Sequence, residues 1–319
     1  VNAHGVMRAK EIWQFGNQAF LDLLEFAKHK NIEVSRNKRL RLIVNDSELK
    51  EAKIAVTQLQ DAGFSTQLSK AQDYKILEGL SERVLAVQDD GLMAAMIETP
   101  DLLTQLSLGV EQKVQHIDSF TKDRSKLRIH FQDGSSVSTE FLVLACHNHI
   151  SNFLPELQEA LVSYADQWMD LSCDKIEKEN VGVVFSAHHS YEWGGFGPQS
   201  IHFGGARYLR KLAGIGAKKA DKDPKIDTYL LEQLKKTFVQ GHCVKHRKTY
   251  PCLDIWPCDE LPVIGPMFGE SRVLLATGYM NSGLVWGFQA GNILAKYILH
   301  GQCSQLPDIL LPKRYRSDV

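Results

Sequence analysis

The stretch that most constrains this chain runs from Val273 to Gly301. Val273-Leu-Leu-Ala276 is a short apolar run, the mark of a buried strand, and Thr277-Gly278 breaks it. A helical pattern then begins near Asn281 or Ser282, both good N-caps. Strand, glycine turn and helix N-terminus together present free backbone N–H groups to an electron-rich ligand. The helix carries Gly283, Gly287, Gly291 and Ala295 at every fourth position, so the small residues share one slowly drifting face. A glycine costs about 1 kcal/mol relative to alanine inside a helix. Three in register therefore imply a very close neighbour, either a tightly packed sheet or a bound ligand. Gln289, Asn292 and Lys296 interrupt a run already too short to span a membrane.

Just upstream lies Asp259-Glu-Leu-Pro-Val-Ile-Gly265, followed by a short hairpin and then Leu274-Leu-Ala-Thr-Gly-Tyr279 with its glycine-rich helix start. In order and spacing this resembles the C-terminal end of the D-amino-acid oxidase, glycine oxidase and sarcosine oxidase family, which are FAD-dependent amine and amino-acid oxidases. The resemblance implies that Gly265, Gly278, Tyr279, Met280, Asn281, Gly283 and Leu284 bind the flavin. At the other end, Asn2-Ala3-His4-Gly5-Val6 resembles a family segment whose backbone lies against flavin and pyrophosphate, so Asn2, His4, Gly5, Val6 and Met7 are expected there as well. Covalent attachment through His4 is one reading, and a polar turn residue is the other. Val114, Ala145 and Cys146 complete the implied cofactor set. Cys146 and His147 replace the small residues that relatives carry after the corresponding strand, which admits either a reactive or a buried structural thiol.

The rest of the chain agrees with two-part organisation. Its 319 residues, 44% apolar, suffice for one large or two ordinary domains with real cores. Helical stripes are predicted over 9–29, 47–62, 69–77 and 226–238. A further helix is expected to open at Thr99 as N-cap with Pro100 behind it. Strands are predicted at 40–44, in 84–93 around a break at Asp89-Asp90-Gly91, and at 181–187, 200–205 and 249–252. A meander is predicted over 114–120, 127–131 and 137–145, with a turn at Asp133-Gly134. Lys218 to Lys225 reads as an exposed charged loop. The expected fold class is α/β plus α+β: a Rossmann-like FAD-binding domain of glutathione-reductase type with an inserted mixed-sheet substrate domain. The expected boundaries are 1–10, 88–150 and 252–319 for the first, and 11–87 and 151–251 for the second.

No G-x-G-x-x-G follows a strand anywhere in the chain. The family's glycine loop would precede the Asn2 segment by roughly forty residues. The expectation is that the first βαβ unit lies outside the sequence. The 319 residues alone should then purify poorly and without colour, whereas a longer product of the same gene should be soluble and yellow. The alternative is a variant that does not hold FAD.

A flavin oxidase needs N–H donors toward the reduced ring, a cation for a substrate carboxylate and a polar group near the reacting atoms. Arginine suits the second task through its bidentate fork. Arg207, in a strand similar to one in the family, is the candidate, with Arg210 and Arg247 competing. Lys245 and His246 are candidates for the third task, with Lys248 beside them. The same region also admits a zinc reading, because His242, Cys243, His246, Cys252 and Cys258 fall close together, although Cys252 and Cys258 miss the usual spacing. No metal is expected.

The net charge of −1 points to neither nucleic acid nor an anionic membrane. The absence of a signal-like opening and the six irregularly placed cysteines fit a cytoplasmic protein. The expected activity is FAD-dependent oxidation of a small amine or amino acid to an imine. A non-catalytic relative of the same fold, serving as a binding or scaffold protein, is the alternative. A flavin enzyme that modifies a macromolecule such as tRNA is the third reading. Substrate, electron acceptor and oligomeric state are left open.

Overall fold

The computed structural model describes residues 5–77, 83–89, 93–123, 125–174, 176–238, 242–280, 282–303 and 305–315. In chain order the strands begin with β1 (Val34–Ile43), β2 (Gln67–Ser69), β3 (Ala86–Asp89), β4 (Met93–Ile97) and β5 (Ile117–Lys122). They continue with β6 (Leu127–Phe131), β7 (Ser136–Thr139), β8 (Leu142–Leu144), β9 (Leu161–Cys173) and β10 (Val184–Ala187). The last are β11 (Glu192–Phe196), β12 (Ser200–Gly205), β13 (Val244–Pro257), β14 (Val263–Met267) and β15 (Glu270–Thr277). The α-helices are α1 (Val6–His29), α2 (Asp46–Asp61), α3 (Thr99–Leu106), α4 (Ile150–Phe153), α5 (Pro224–Thr237) and α6 (Gly283–His300).

Two compact units form. The first comprises 31–102 and 164–253, and the second 2–30, 103–163 and 254–319. These limits differ from the expected ones. The helix α1, expected with the inserted domain, belongs to the second unit, where Phe15 stacks on Trp286 and Phe26 packs on Phe288. Residues 88–102 go to the first unit because β3 and β4 both pair with β1.

The first unit is built on a nine-stranded mixed sheet, ordered β13-β9-β12-β11-β10-β1-β3-β2, with β4 also on β1. One face carries Leu40, Leu42, Met169, Phe185 and Phe203, packed with Leu230 and Leu234 of α5 into the unit's main core. The cap of α5 is legible locally: Asp223 accepts from Lys225 N, and Pro224 occupies the first turn. On α2, Asn45 accepts from Glu48 N. The opposite face of the sheet is polar at its centre. Two differences from expectation lie here. Residues 69–77 form the end of β2 and two short 3-10 turns rather than a helix, and the predicted strand at 249–252 is the middle of the long β13. Asp90 and Gly91, expected to break the 84–93 strand, lie outside the described residues.

The second unit holds two three-stranded sheets. In one, β8 runs parallel to β15, and β15 pairs antiparallel with β14. Leu142, Leu144, Val273 and Leu275 face one core, shared with Ile150 and Leu154 of α4 and its end. Leu274, Ala276 and Ile264 face another, shared with Ala290, Ile293 and Leu294 of α6. Burial on both faces is why Val273–Ala276 is continuously apolar. The other sheet is the β5-β6-β7 meander, turned at Asp133, whose carboxylate accepts from Ser135. At α3 the helix proper starts on Thr99, one residue earlier than expected, with Leu102 N bonding back to Glu98 O.

Candidate functional site

In an open α/β sheet, ligands bind beyond the carboxyl ends of parallel strands. β8 and β15 are such a pair, in register Leu144↔Leu275. Beyond their ends stand Ala145-Cys146-His147 and Thr277-Gly278-Tyr279, side by side. A cavity of ≈ 370 Å³ opens along these turns and the strands behind them. Val143, Ala145, His147, Thr277 and Tyr279 line it from the sheet, and Gly287, Gly291 and Ala295 line it from α6.

The turns are held in unusual backbone. Gly278 has φ 72°, and a Cβ there would sit 2.7 Å from Pro257 Cγ, so only glycine fits. Met280 and His147 adopt positive φ of 46° and 50° without being glycine. Such conformations are costly and persist where the surroundings impose them. His147 Nε2 lies 3.0 Å from Asp254 Oδ1. That hydrogen bond and the carboxylate's charge raise the imidazole pKa above its ordinary value against the opposing effect of burial. Burial raises the Cys146 thiol, which disfavours the thiolate and agrees with a structural cysteine.

Two polar atoms at the cavity have no hydrogen-bond partner in the protein: Thr277 Oγ1, on a residue 1% exposed, and Tyr279 OH. Burial also holds the Tyr279 phenol neutral far above its usual range. An orphaned buried hydroxyl costs about 1–3 kcal/mol, so both atoms point to something polar that is not part of this chain. The glycine face tells the same story. A Cβ at Gly283 or Gly291 would meet nothing within 4 Å, and at Gly287 only Tyr279 Cε2 at 3.7 Å. Among the described residues the glycines therefore do not serve tight packing on the sheet, which is made instead by Ala290, Ile293 and Leu294. The α6 N-cap is Ser282, without a side-chain capping bond.

The expected cofactor residues divide into groups. Ala145 and Tyr279 line the cavity, with Cys146 and Gly278 next to them in the chain, while Met280, Gly283 and Leu284 do not line it. Gly265 (φ 122°) packs instead against Leu311, whose Cδ2 would lie 2.7 Å from a Cβ. Gly5, Val6 and Met7 form the exposed start of α1, and Val114 stands fully in solvent. Asn2, His4 and Asn281 lie outside the described residues. Sequence reading missed Thr277 as a cavity-lining group and the pairing of His147 with Asp254. The orphan hydroxyl gives no sequence signal, and the ion pair joins residues distant in the chain.

The candidate substrate groups lie in the first unit. Arg207 is 9% exposed, sandwiched between the rings of Tyr164 and Tyr191, and donates from Nη1 to Ala213 O. Arg210 donates to Gln167 Oε1 and Asp221 O. Lys245 is exposed beside Asp174, with its carbonyl accepting from Ser172 Oγ, and His246 Nε2 lies 2.9 Å from Thr249 Oγ1. Tyr164 and Ser172 sit far apart on β9, roughly 25 Å at the usual rise per residue. The sheet thus separates Arg207 from Lys245, whereas His246 is linked through Thr249 and Asp227 to Gln167, nearer the Tyr164 end. Among the described residues no three His, Cys, Asp or Glu side chains gather as a metal site, and no helix is long and apolar enough to cross a membrane.

By sequence, the chain matches no family model and no curated protein. By structure it is similar to glycine oxidase from Geobacillus kaustophilus, at TM-score 0.77 and 11% identity over 97% of this chain and 83% of that one. L-proline dehydrogenase from P. horikoshii gives 0.76 and 12% over 96% and 82%. Iminodiacetate oxidase from Chelativorans sp. BNC1 gives 0.71 and 15% over 93% and 82%. The chain has the fold of these amino-acid and amine oxidoreductases, as the resemblance in the sequence implied.

Proposed function

We propose that the cavity beyond β8 and β15 takes the isoalloxazine ring of a flavin, FAD by resemblance, and that the chain oxidises a small amine or amino acid to an imine. The observation that carries this reading is a pair of buried, partnerless hydroxyls on Thr277 and Tyr279, two residues that line the cavity together with the open Gly287 and Gly291 face of α6. A flavin has a flat apolar body, which a glycine face admits, and a polar edge, which hydroxyls and N–H groups bind. Both requirements are met by residues present. The ADP half of FAD has no glycine fingerprint within residues 1–319.

Bound there, a flavin would supply the acceptor for a hydride from the carbon next to the amine. The protein's part is electrostatic. The N-terminal end of α6, one turn before the cavity-lining Gly287, carries the positive end of the helix dipole and favours negative charge on a ring bound there. Thr277 and Tyr279 would hold the ring's polar edge. His147, charged more readily because of Asp254, adds a second positive group. The amine and amino-acid substrates named for the similar structures favour this class over the scaffold alternative, which would leave the two hydroxyls without a purpose.

Arg207, Lys245 and His246 stand as candidates for substrate contact. Lys245 lies far along β9 from Arg207, so these two do not serve one substrate together. Steady-state kinetics of Arg207→Lys and His246→Gln on a D-amino acid and a matching decarboxylated amine separates them. If Arg207 holds a carboxylate, its variant raises KM for the amino acid alone. Equal changes on both substrates in both variants would remove both residues from the site.

A further inference from the structure

The connection from β12 to α5, residues 206–223, is tied down along its inner side. Ala213 O accepts from Arg207 Nη1. Gly214 is buried so closely on β9 that a Cβ would lie 2.5 Å from Ala165 O. Ile215 bridges antiparallel to Tyr164. The outer side of the same loop carries three large apolar side chains in solvent: Leu209 is 46% exposed, Leu212 74% and Ile215 54%. None of the three joins the main core of the unit.

Leu212 stands at the tip. It and Ala213 both have φ 51°, and Gly214 and Gly216 follow at 73° and 75°. A turn that serves only to join a strand to a helix uses glycine, asparagine or aspartate in such conformations, because a larger side chain is strained there. Leu212 carries that strain and exposes its side chain to water as well, so its use lies outside the fold.

Positive charge gathers on the same loop. From Leu209 to Lys225 there are six lysines and arginines and two aspartates, in a chain whose net charge is −1. Arg210 donates to Gln167 Oε1 and Asp221 O, and Lys222 pairs with Asp227. Lys211, Lys218 and Lys219 are exposed, and among the described residues none of them forms an ion pair. Grouped apolar side chains rimmed by charge mark an interaction surface. Protein interfaces favour aromatic and arginine anchors and are depleted in lysine. Exposed leucine, isoleucine and lysine instead match a bilayer surface, where apolar groups enter the headgroup boundary and lysines meet anionic lipid.

We propose that the 209–219 loop docks reversibly on a bilayer surface rich in anionic phospholipid. Leu209, Leu212 and Ile215 enter the headgroup layer, and Lys211, Lys218 and Lys219 meet the charged headgroups. This docking needs no flavin, and its test stands apart from that of the cavity.

The test is co-sedimentation of the 319-residue chain with sucrose-loaded vesicles, of phosphatidylcholine alone and of phosphatidylcholine mixed with phosphatidylserine. The chain should pellet with the mixed vesicles, come off as salt is raised, and stay in the supernatant with phosphatidylcholine alone. Leu212→Ser should weaken binding about tenfold or more, the effect of withdrawing one leucine from an apolar layer. Lys218→Gln and Lys219→Gln should each weaken it about fivefold. Leu212→Trp should show a blue shift of indole fluorescence on mixed vesicles larger than that of the parent. All these positions are exposed, so the variants should melt as the parent does. No pelleting with mixed vesicles, or equal pelleting with both kinds, would overturn the proposal. So would binding unchanged in Leu212→Ser or in the lysine variants.

Discussion

Asp259 accepts from Arg314 Nε at 2.6 Å and from Tyr315 OH at 2.7 Å, and Arg314 also donates to Leu261 O. These bonds pin the Asp259–Gly265 segment that leads into β14. Burial works against the Asp259 carboxylate, but the bonds from Arg314 and Tyr315 outweigh it and hold its pKa below the ordinary value. Arg314→Met should lower stability by about 2 kcal/mol at neutral pH. A depressed acid contributes stability above its unfolded pKa, about 3.9, and loses it as pH falls through the folded value. Urea unfolding at neutral and acid pH should therefore show the variant's deficit shrinking as the solution is acidified. His147 has the opposite sign. Its pKa is raised, so its pairing with Asp254 contributes fully below about pH 6.5 and is lost as pH rises through the folded value. Melting temperatures of His147→Gln and the parent should differ at about pH 5.5 and converge in alkali. A constant difference across that range would show that the pair does not titrate.

α6 and β12 both carry glycine, for opposite reasons. A Cβ on Gly291 meets nothing within 4 Å, whereas one on Gly204 would come 2.5 Å from Trp168 Cβ and 2.9 Å from Gln167 O. Gly291→Ala should raise stability by up to about 1 kcal/mol through helix propensity. Gly204→Ala should cost about 1–3 kcal/mol through overpacking. Thermal melts of the two check the signs. Sequence alone placed α6, β15 and α5 well, because caps, glycine stops and apolar runs are local signals. It gave no sign of β9. That strand is buried along most of its length, so no clean alternation survives, and it contains Asp166 and Gln167, which read as loop residues. Gln167 is paid for by partners remote in the chain: its Nε2 donates to Asp223 O and Asp227 Oδ1. β11 was hidden for a related reason. Its Trp-Gly-Gly core has the composition of a turn, but Gly194 is demanded by His202 O, which would lie 2.3 Å from a Cβ.

For the molecule as a whole, the sequence foresaw a mixed-sheet unit and a second unit ending in a strand, turn and glycine helix, and the structure has both. Its boundaries were misjudged at α1 because a helical stripe does not say which unit it packs on. Within the proposed site, Gly278 and Tyr279 carry a local sequence signal because they belong to a strand–turn–helix pattern. The site was not legible where chemistry arises from long-range pairing, at His147 with Asp254. The central claim is that the cavity beyond β8 and β15 takes a flavin ring. Titrating the chain into riboflavin and following quenching of flavin fluorescence tests it most directly, since riboflavin carries the ring without the ADP half. The account predicts saturable quenching that Gly287→Leu abolishes, the added side chain filling the cavity, while Lys296→Ala leaves it unchanged. No saturable quenching, or quenching that survives in Gly287→Leu, would contradict it.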